Sequence, residues 1–132
     1  IAGFENGLKR WKPLLKAGGW MAVTQVSWLR DDPPQEVKLF WEEAYPAIKN
    51  IEENLKIIAR CGYEIIDHFA LPASAWWDGY YDPIERKLEA MREKYKDDPE
   101  ALLAIEAEQT EIDIYRKYSD FYGYVFYVMR SV

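Results

Sequence analysis

Residues 14–29, LLKAGGWMAVTQVSWL, read as the end of a helix, a Gly-Gly stop and a strand. A helix feeding a strand in this way is normally one link of a parallel α/β sheet. The link implies an earlier strand, yet only Ile1, Ala2 and Gly3 precede FENGLKRW, and three residues cannot supply one. The sequence therefore predicts a chain that begins in the middle of a fold.

Outward from this stretch the pattern is helix-rich. FENGLKRWKPLLK places Leu8, Trp11 and Leu15 on one helical face, with a kink or restart at Pro13 and an end at Gly18. In strand 20–28, Trp20, Ala22, Val26 and Trp28 alternate with Met21 and Val23, which predicts burial on both faces. Asp32 and Pro33 read as the N-cap and first residue of a helix striped by Val37, Phe40, Trp41 and Ala44, stopping at Tyr45-Pro46. Asn50 with Glu53 three residues on opens another helix, which turns Leu55, Ile57 and Ile58 inward and closes at Gly62. Strand 63–71 has Tyr63, Ile65, Phe69 and Leu71 on one face, with Glu64 and His68 on the other.

Two amphipathic helices follow, starting at Asp82-Pro83 and Asp98-Pro99. The last strand, 121–130, is apolar on both faces and therefore central. Inserting it between the other two leaves strand 20–28 at an edge. That strand is too apolar for an edge, so a neighbour is missing beside it.

The length of 132 residues suits one domain, and 49% hydrophobic with 16% aromatic residues excludes a disordered tail. A net charge of -6 argues against nucleic acid, and no apolar run is long enough to span a bilayer. One cysteine, Cys61, permits no internal disulfide and no thiolate cluster, which fits a cytoplasmic protein. Its position before Gly62 points to packing rather than reactivity.

No three of the seven glycines make a G-x-G-x-x-G turn, and a single histidine excludes a multi-histidine metal site. Ser27, Asp67 and His68 are triad residue types, but adjacent strand residues point to opposite faces, which argues against a triad. No catalytic residue can be named. The aromatic residues Trp28, Trp41, Tyr45, Trp76, Trp77, Tyr80 and Tyr81 follow two strand ends or lie on segments that cover them. Ligands of open α/β sheets bind beyond carboxyl strand ends, so AWWDGYYDP suits a pocket wall or lid.

The segments GLKRWKPLLKAGGWMAVTQVSWL, FWEEAYPAIKNIEENLKIIARCGYEIIDHFALPASAWWDGYY and YRKYSDFYGYVFYVMR resemble the C-terminal half of a class I S-adenosylmethionine-dependent methyltransferase of the small-molecule subgroup. The resemblance covers nearly all 132 residues. It implies an α/β, Rossmann-like sheet with strands in the order 5-7-6, the last antiparallel, and the fourth strand as the missing neighbour. Residues 1–132 would be one partial domain with a helical insertion at 82–118 covering the aromatic segment 76–81. Gln25 stands where Glu is common in the subgroup, and Ala17 where Pro is common.

The implied function is the substrate-side half of the active site, with Ser27, Trp28, Trp41, Tyr45, Trp76, Trp77, Tyr80 and Tyr81 binding a small-molecule methyl acceptor. S-adenosylmethionine belongs to the intact parent enzyme. This chain alone is expected to bind no cofactor or metal and to be inactive. The alternative is a non-catalytic interaction module that uses the open edge of strand 20–28 to bind a partner chain. Either way that edge predicts a homo-oligomer, such as a homodimer, or a complex with another chain. No nucleic acid and no membrane are expected as partners.

Overall fold

In a computed structural model, which describes residues 3–132, helix α1 spans Phe4–Trp11 and ends well before Gly18. Pro13 has no N–H to donate back along the helix, and the chain tightens into a 3-10 turn over Lys12–Leu14. Gly18, at φ 75°, then reverses the chain into β1, Trp20–Trp28.

Helix α2, Gln35–Ala44, begins two residues later than Asp32 implied. The ring of Pro34 disfavours a helical Pro33, so the helix waits until after both prolines. Asp32 pairs with Arg30 at 3.4 Å instead of capping. The end at Tyr45-Pro46 is as expected. Next come β2, Lys49–Asn50, and α3, Ile51–Arg60. The Glu53 amide donates to Asn50 Oδ1 at 2.8 Å, the expected N-cap bond. Gly62, at φ 89°, leads from α3 into β3, Tyr63–Ala70.

Strand β4, Tyr122–Ser131, lies between β1 and β3 and antiparallel to both, as expected of the last strand. The sheet order is β2-β1-β4-β3. The two-residue β2, which no sequence signal announced, pairs in parallel with the end of β1 through Ser27↔Lys49 and Trp28↔Asn50.

The face assignment of β3 needs correction. A bulge shifts the register between Ile65 and Asp67, so Ile65 opposes Met129 while His68 opposes Tyr127. One extra residue inverts the alternation. His68 therefore shares the face of Tyr63 and Ile65, and Phe69 turns to the opposite face, stacked on Phe126 at 5.1 Å.

The chain forms two compact units, one of residues up to Leu71 with Asp120–Val132, the other Pro72–Ser119. In the first, Leu8 from α1, with Ile57, Ile58 and Cys61 from α3, packs on Tyr63, Val125, Tyr127 and Met129 of the sheet. Burial of strand 20–28 on both faces is not observed. Trp20 is 60% exposed, and Ala22 and Thr24 are exposed with it.

The second unit contains α4 (Ala73–Trp76), a π turn (Trp77–Tyr81), α5 (Asp82–Lys94) and α6 (Pro99–Tyr118). Asp82 does not start a new helix, because the π turn carries the helix through from Ala73. Asp98 does cap α6, accepting from the Ala101 amide at 3.2 Å. Helices α5 and α6 are joined by Arg116–Glu85 at 2.7 Å and Arg92–Glu106 at 3.0 Å.

Lys12 closes the first unit. Its Nζ donates to the Gly62 carbonyl at 2.6 Å, the Val132 carbonyl at 3.0 Å and Ser131 Oγ at 3.1 Å, above the Tyr63 ring. Lys12→Met keeps the apolar stem and removes these bonds, so a loss of about 1–3 kcal/mol in urea unfolding is expected. An unchanged midpoint would show that the clamp carries no stability.

Candidate functional site

The carboxyl end of β1 holds a buried polar network. Ser27 and Tyr127 are fully buried, and Asn54 is 1% exposed. Four contacts join them to the backbone. Ser27 Oγ lies 3.0 Å from the Gln25 carbonyl and 2.8 Å from Tyr127 Oη, while Asn54 Nδ2 lies 3.0 Å from Ser27 Oγ and 3.1 Å from Tyr127 Oη. Four hydrogens are needed. Ser27 donates to the Gln25 carbonyl, Tyr127 donates to Ser27, and the two amide hydrogens of Asn54 serve the remaining contacts. The opposite amide orientation would leave only two hydrogens for four contacts, so the network itself fixes Asn54. Burial pushes the Tyr127 hydroxyl up from its ordinary pKa, opposed by its hydrogen bonds with Ser27 and Asn54.

Beside this network lies a cavity of about 260 Å³. Gly3, Phe4, Glu5 and Asn6 at the start of α1 line it, with Tyr45, Ala47 and Lys49 from the α2–β2 connection and Asn54 and Ile57 from α3. Gln25 Nε2 donates to the Tyr45 hydroxyl at 2.9 Å, which ties the cavity wall to β1. Lys9 and Arg60 both approach Glu5 Oε1, at 3.3 and 3.1 Å. Hydrogen bonding from Arg60, then Lys9, holds that carboxyl below its usual pKa and therefore ionised.

Of the sequence-predicted residues, Ser27 and Tyr45 belong to this region. Trp28 and Trp41 meet edge-on at Tyr122, with centroid distances of 6.3 and 5.1 Å. Trp41 Nε1 is buried with no hydrogen-bond partner among the described residues. Trp76, Trp77, Tyr80 and Tyr81 lie in the second unit. There Trp76, Trp77 and Tyr81 gather around Tyr115 at 5.3–5.9 Å, and Tyr80 packs on Trp76 at 5.7 Å. At these spacings the rings fill one another's space, as a small core does.

Sequence reasoning missed Asn54 and Tyr127. The one available signal was a polar residue at position 54 on the same helical face as Ile57 and Ile58. The triad residue types do not act together. Ser27 is occupied by Gln25, Asn54 and Tyr127, and Asp67 Oδ1 accepts from the His68 backbone amide at 2.8 Å. No group of three potential metal ligands occurs among the described residues.

No protein-family profile and no curated protein sequence matches the chain. Solved structures do. Phosphoethanolamine N-methyltransferase 2 of Haemonchus contortus, in complex with S-adenosyl-L-methionine, aligns with a TM-score of 0.69 and 16% identity over 99% of this chain and 30% of its own. A methyltransferase from Geobacter sulfurreducens in complex with S-adenosyl-L-homocysteine gives 0.68 and 18%, over 98% of this chain and 53% of its own. The chain has a class I methyltransferase fold. The cyclase SpnF also shares it, at 0.64 and 18%, over 96% of this chain and 43% of its own. The chain thus spans between 30% and 53% of these proteins.

The cavity beside the network, at about 260 Å³, falls just below the ~300–1,000 Å³ of small-molecule pockets. The groups gathered at the end of β1 can bind and orient a small molecule.

Two outcomes follow from the buried groups. The Tyr127 pKa is raised, so its contribution to stability is complete below about pH 10 and lost as pH rises through the folded value. Tyr127→Phe leaves one Asn54 hydrogen unbonded. Urea unfolding should show it about 1–3 kcal/mol less stable at neutral pH, with a shallower alkaline loss than the parent chain. Equal alkaline slopes would contradict this.

In the second unit, burial and then Glu108 raise the pKa of Glu111, against a bond from Tyr81. Its stabilising contribution is therefore present in acid and lost as pH rises. Glu111→Gln should raise the melting temperature at neutral pH and give no gain below the ordinary carboxyl value of 4.5. A lower melting temperature at neutral pH would overturn the assignment.

Proposed function

We propose that this chain carries the acceptor-side part of the active site of an S-adenosylmethionine-dependent small-molecule methyltransferase. The observation behind this reading is its near-complete alignment with proteins in complex with S-adenosyl-L-methionine or S-adenosyl-L-homocysteine, of which it spans only part. The remainder of the parent enzyme would hold the cofactor. Ser27, Trp28, Trp41 and Tyr45 would bound the acceptor at the end of β1. In-line attack on a methyl group needs little acid–base chemistry from the protein, and positioning with exclusion of water supplies the rate. The fold also serves a cyclase, so only methyl transfer itself tests the reading.

The experiment is a labelled-methyl transfer assay over a panel of small amines, acids and phenols. It compares the 132-residue chain with the same chain joined to a glycine-rich cofactor-binding half. Transfer is expected only from the joined protein, and calorimetry with S-adenosylmethionine should show no saturable binding by the shorter chain. Saturable micromolar binding by that chain, or no transfer by the joined protein, would overturn the proposal.

The outer edge of β1 supports a proposal about partners. Strand β2 pairs only with Ser27 and Trp28, so residues 20–26 have no strand partner on that side among the described residues. A bare edge recruits another strand, and a second copy of the chain is the simplest source. Light scattering should show self-association at tens of micromolar. A strictly monomeric species would remove the edge from consideration.

A further inference from the structure

The proton count at Asn54 has a chemical consequence for the cavity. Both amide hydrogens are committed to Ser27 and Tyr127. Oδ1 is left over, without a hydrogen-bond partner among the described residues, on a side chain that is 1% exposed and lines the cavity. With no partner among the described residues, Oδ1 is an acceptor that a donor in the cavity can reach.

Other groups on the walls are also available. Lys49 Nζ has no ion-pair partner among the described residues. The Tyr45 hydroxyl accepts from Gln25, which leaves its own hydrogen to donate. Among the described residues no side chain caps the first turn of α1, and Gly3 to Asn6 line the same space. Glu5 adds a carboxylate whose contacts with Lys9 and Arg60 fall on Oε1.

The cavity thus offers a cation and donors together with a fixed acceptor and a carboxylate. A volume of about 260 Å³ equals roughly nine waters at ~30 Å³ each, which limits the ligand to a small molecule. We infer that the cavity binds a small α-amino acid-type zwitterion. Its carboxylate meets Lys49, Tyr45 and the α1 amides, and its ammonium N–H groups meet Asn54 Oδ1 and Glu5. This names the acceptor class for the proposed methyltransferase and rests on that reading only for the word acceptor.

The test is an NMR titration of ¹⁵N-labelled chain, without cofactor, using L-serine as the probe. Three controls each lack one feature: acetate has no ammonium, ethylammonium has no carboxylate, and glycine betaine has no N–H. Saturable shifts are expected at the Asn54 side-chain amide and the backbone amides of residues 4–6, with each control at least about ten-fold weaker. Lys49→Met, at a partly exposed position that leaves the buried network intact, should weaken L-serine by about ten-fold or more. Unsaturable shifts, controls as tight as L-serine, or unchanged binding by Lys49→Met would each overturn the inference. Failure here leaves the methyl transfer assay untouched, and binding without transfer by the joined protein overturns the function alone.

Discussion

Strand β4 is the constraint on which the first unit depends. Neither β1 nor β3 pairs with the other, and both pair with β4 along most of their length. The side chains of β4 make this possible. Val125, Tyr127 and Met129 are fully buried beneath α1 and α3, so one strand supplies both the hydrogen-bonded spine and much of the core. Lys12 then fastens the end of β4 to the turn ahead of β3. The same strand supplies Tyr127 to the polar network, so fold and site share one scaffold.

That sharing ties the site to the sheet. Ser27 lies where β1 is paired on both sides, by β2 and by β4, and it cannot move without disturbing both ladders. Asn54 lies on α3 between the capped start at Asn50 and the apolar residues Ile57 and Ile58. A hydroxyl on each of two strands and an amide on a helix are thereby held to one hydrogen-bonding solution. Preorganisation of this kind presents a ligand with groups whose orientation is already settled.

Strand types and sheet order were legible because the signals were strong. The apolar run at 121–130 marked a central strand, and Asn50 with Glu53 marked a helix start that the structure reproduces. What failed has local causes. Two adjacent prolines displaced the start of α2, a π turn erased the apparent boundary at Asp82, and a bulge at Ile66 inverted the faces of β3. None of these leaves a periodic trace. The aromatic residues drew attention as pocket walls, yet those of the second unit largely pack on one another. The cavity-lining Asn54 was unmarked because a single polar residue on an apolar helical face carries little information until its partners are known. Tyr127 and Ser27 come from positions a hundred residues apart, a pairing that only the folded chain makes visible.

The central place of β4 also bears on how the chain folds. Its partners β1 and β3 are synthesised first, and the helical residues 72–119 intervene before β4 appears. Helices α5 and α6 form from local contacts, which are fast, whereas the sheet waits on closure between the two ends of the sequence. During that interval β1 and β3 both expose unpaired edges with no common partner. Nascent copies in that state are the ones most open to pairing with each other, and the arrival of β4 closes only the facing edges of β1 and β3.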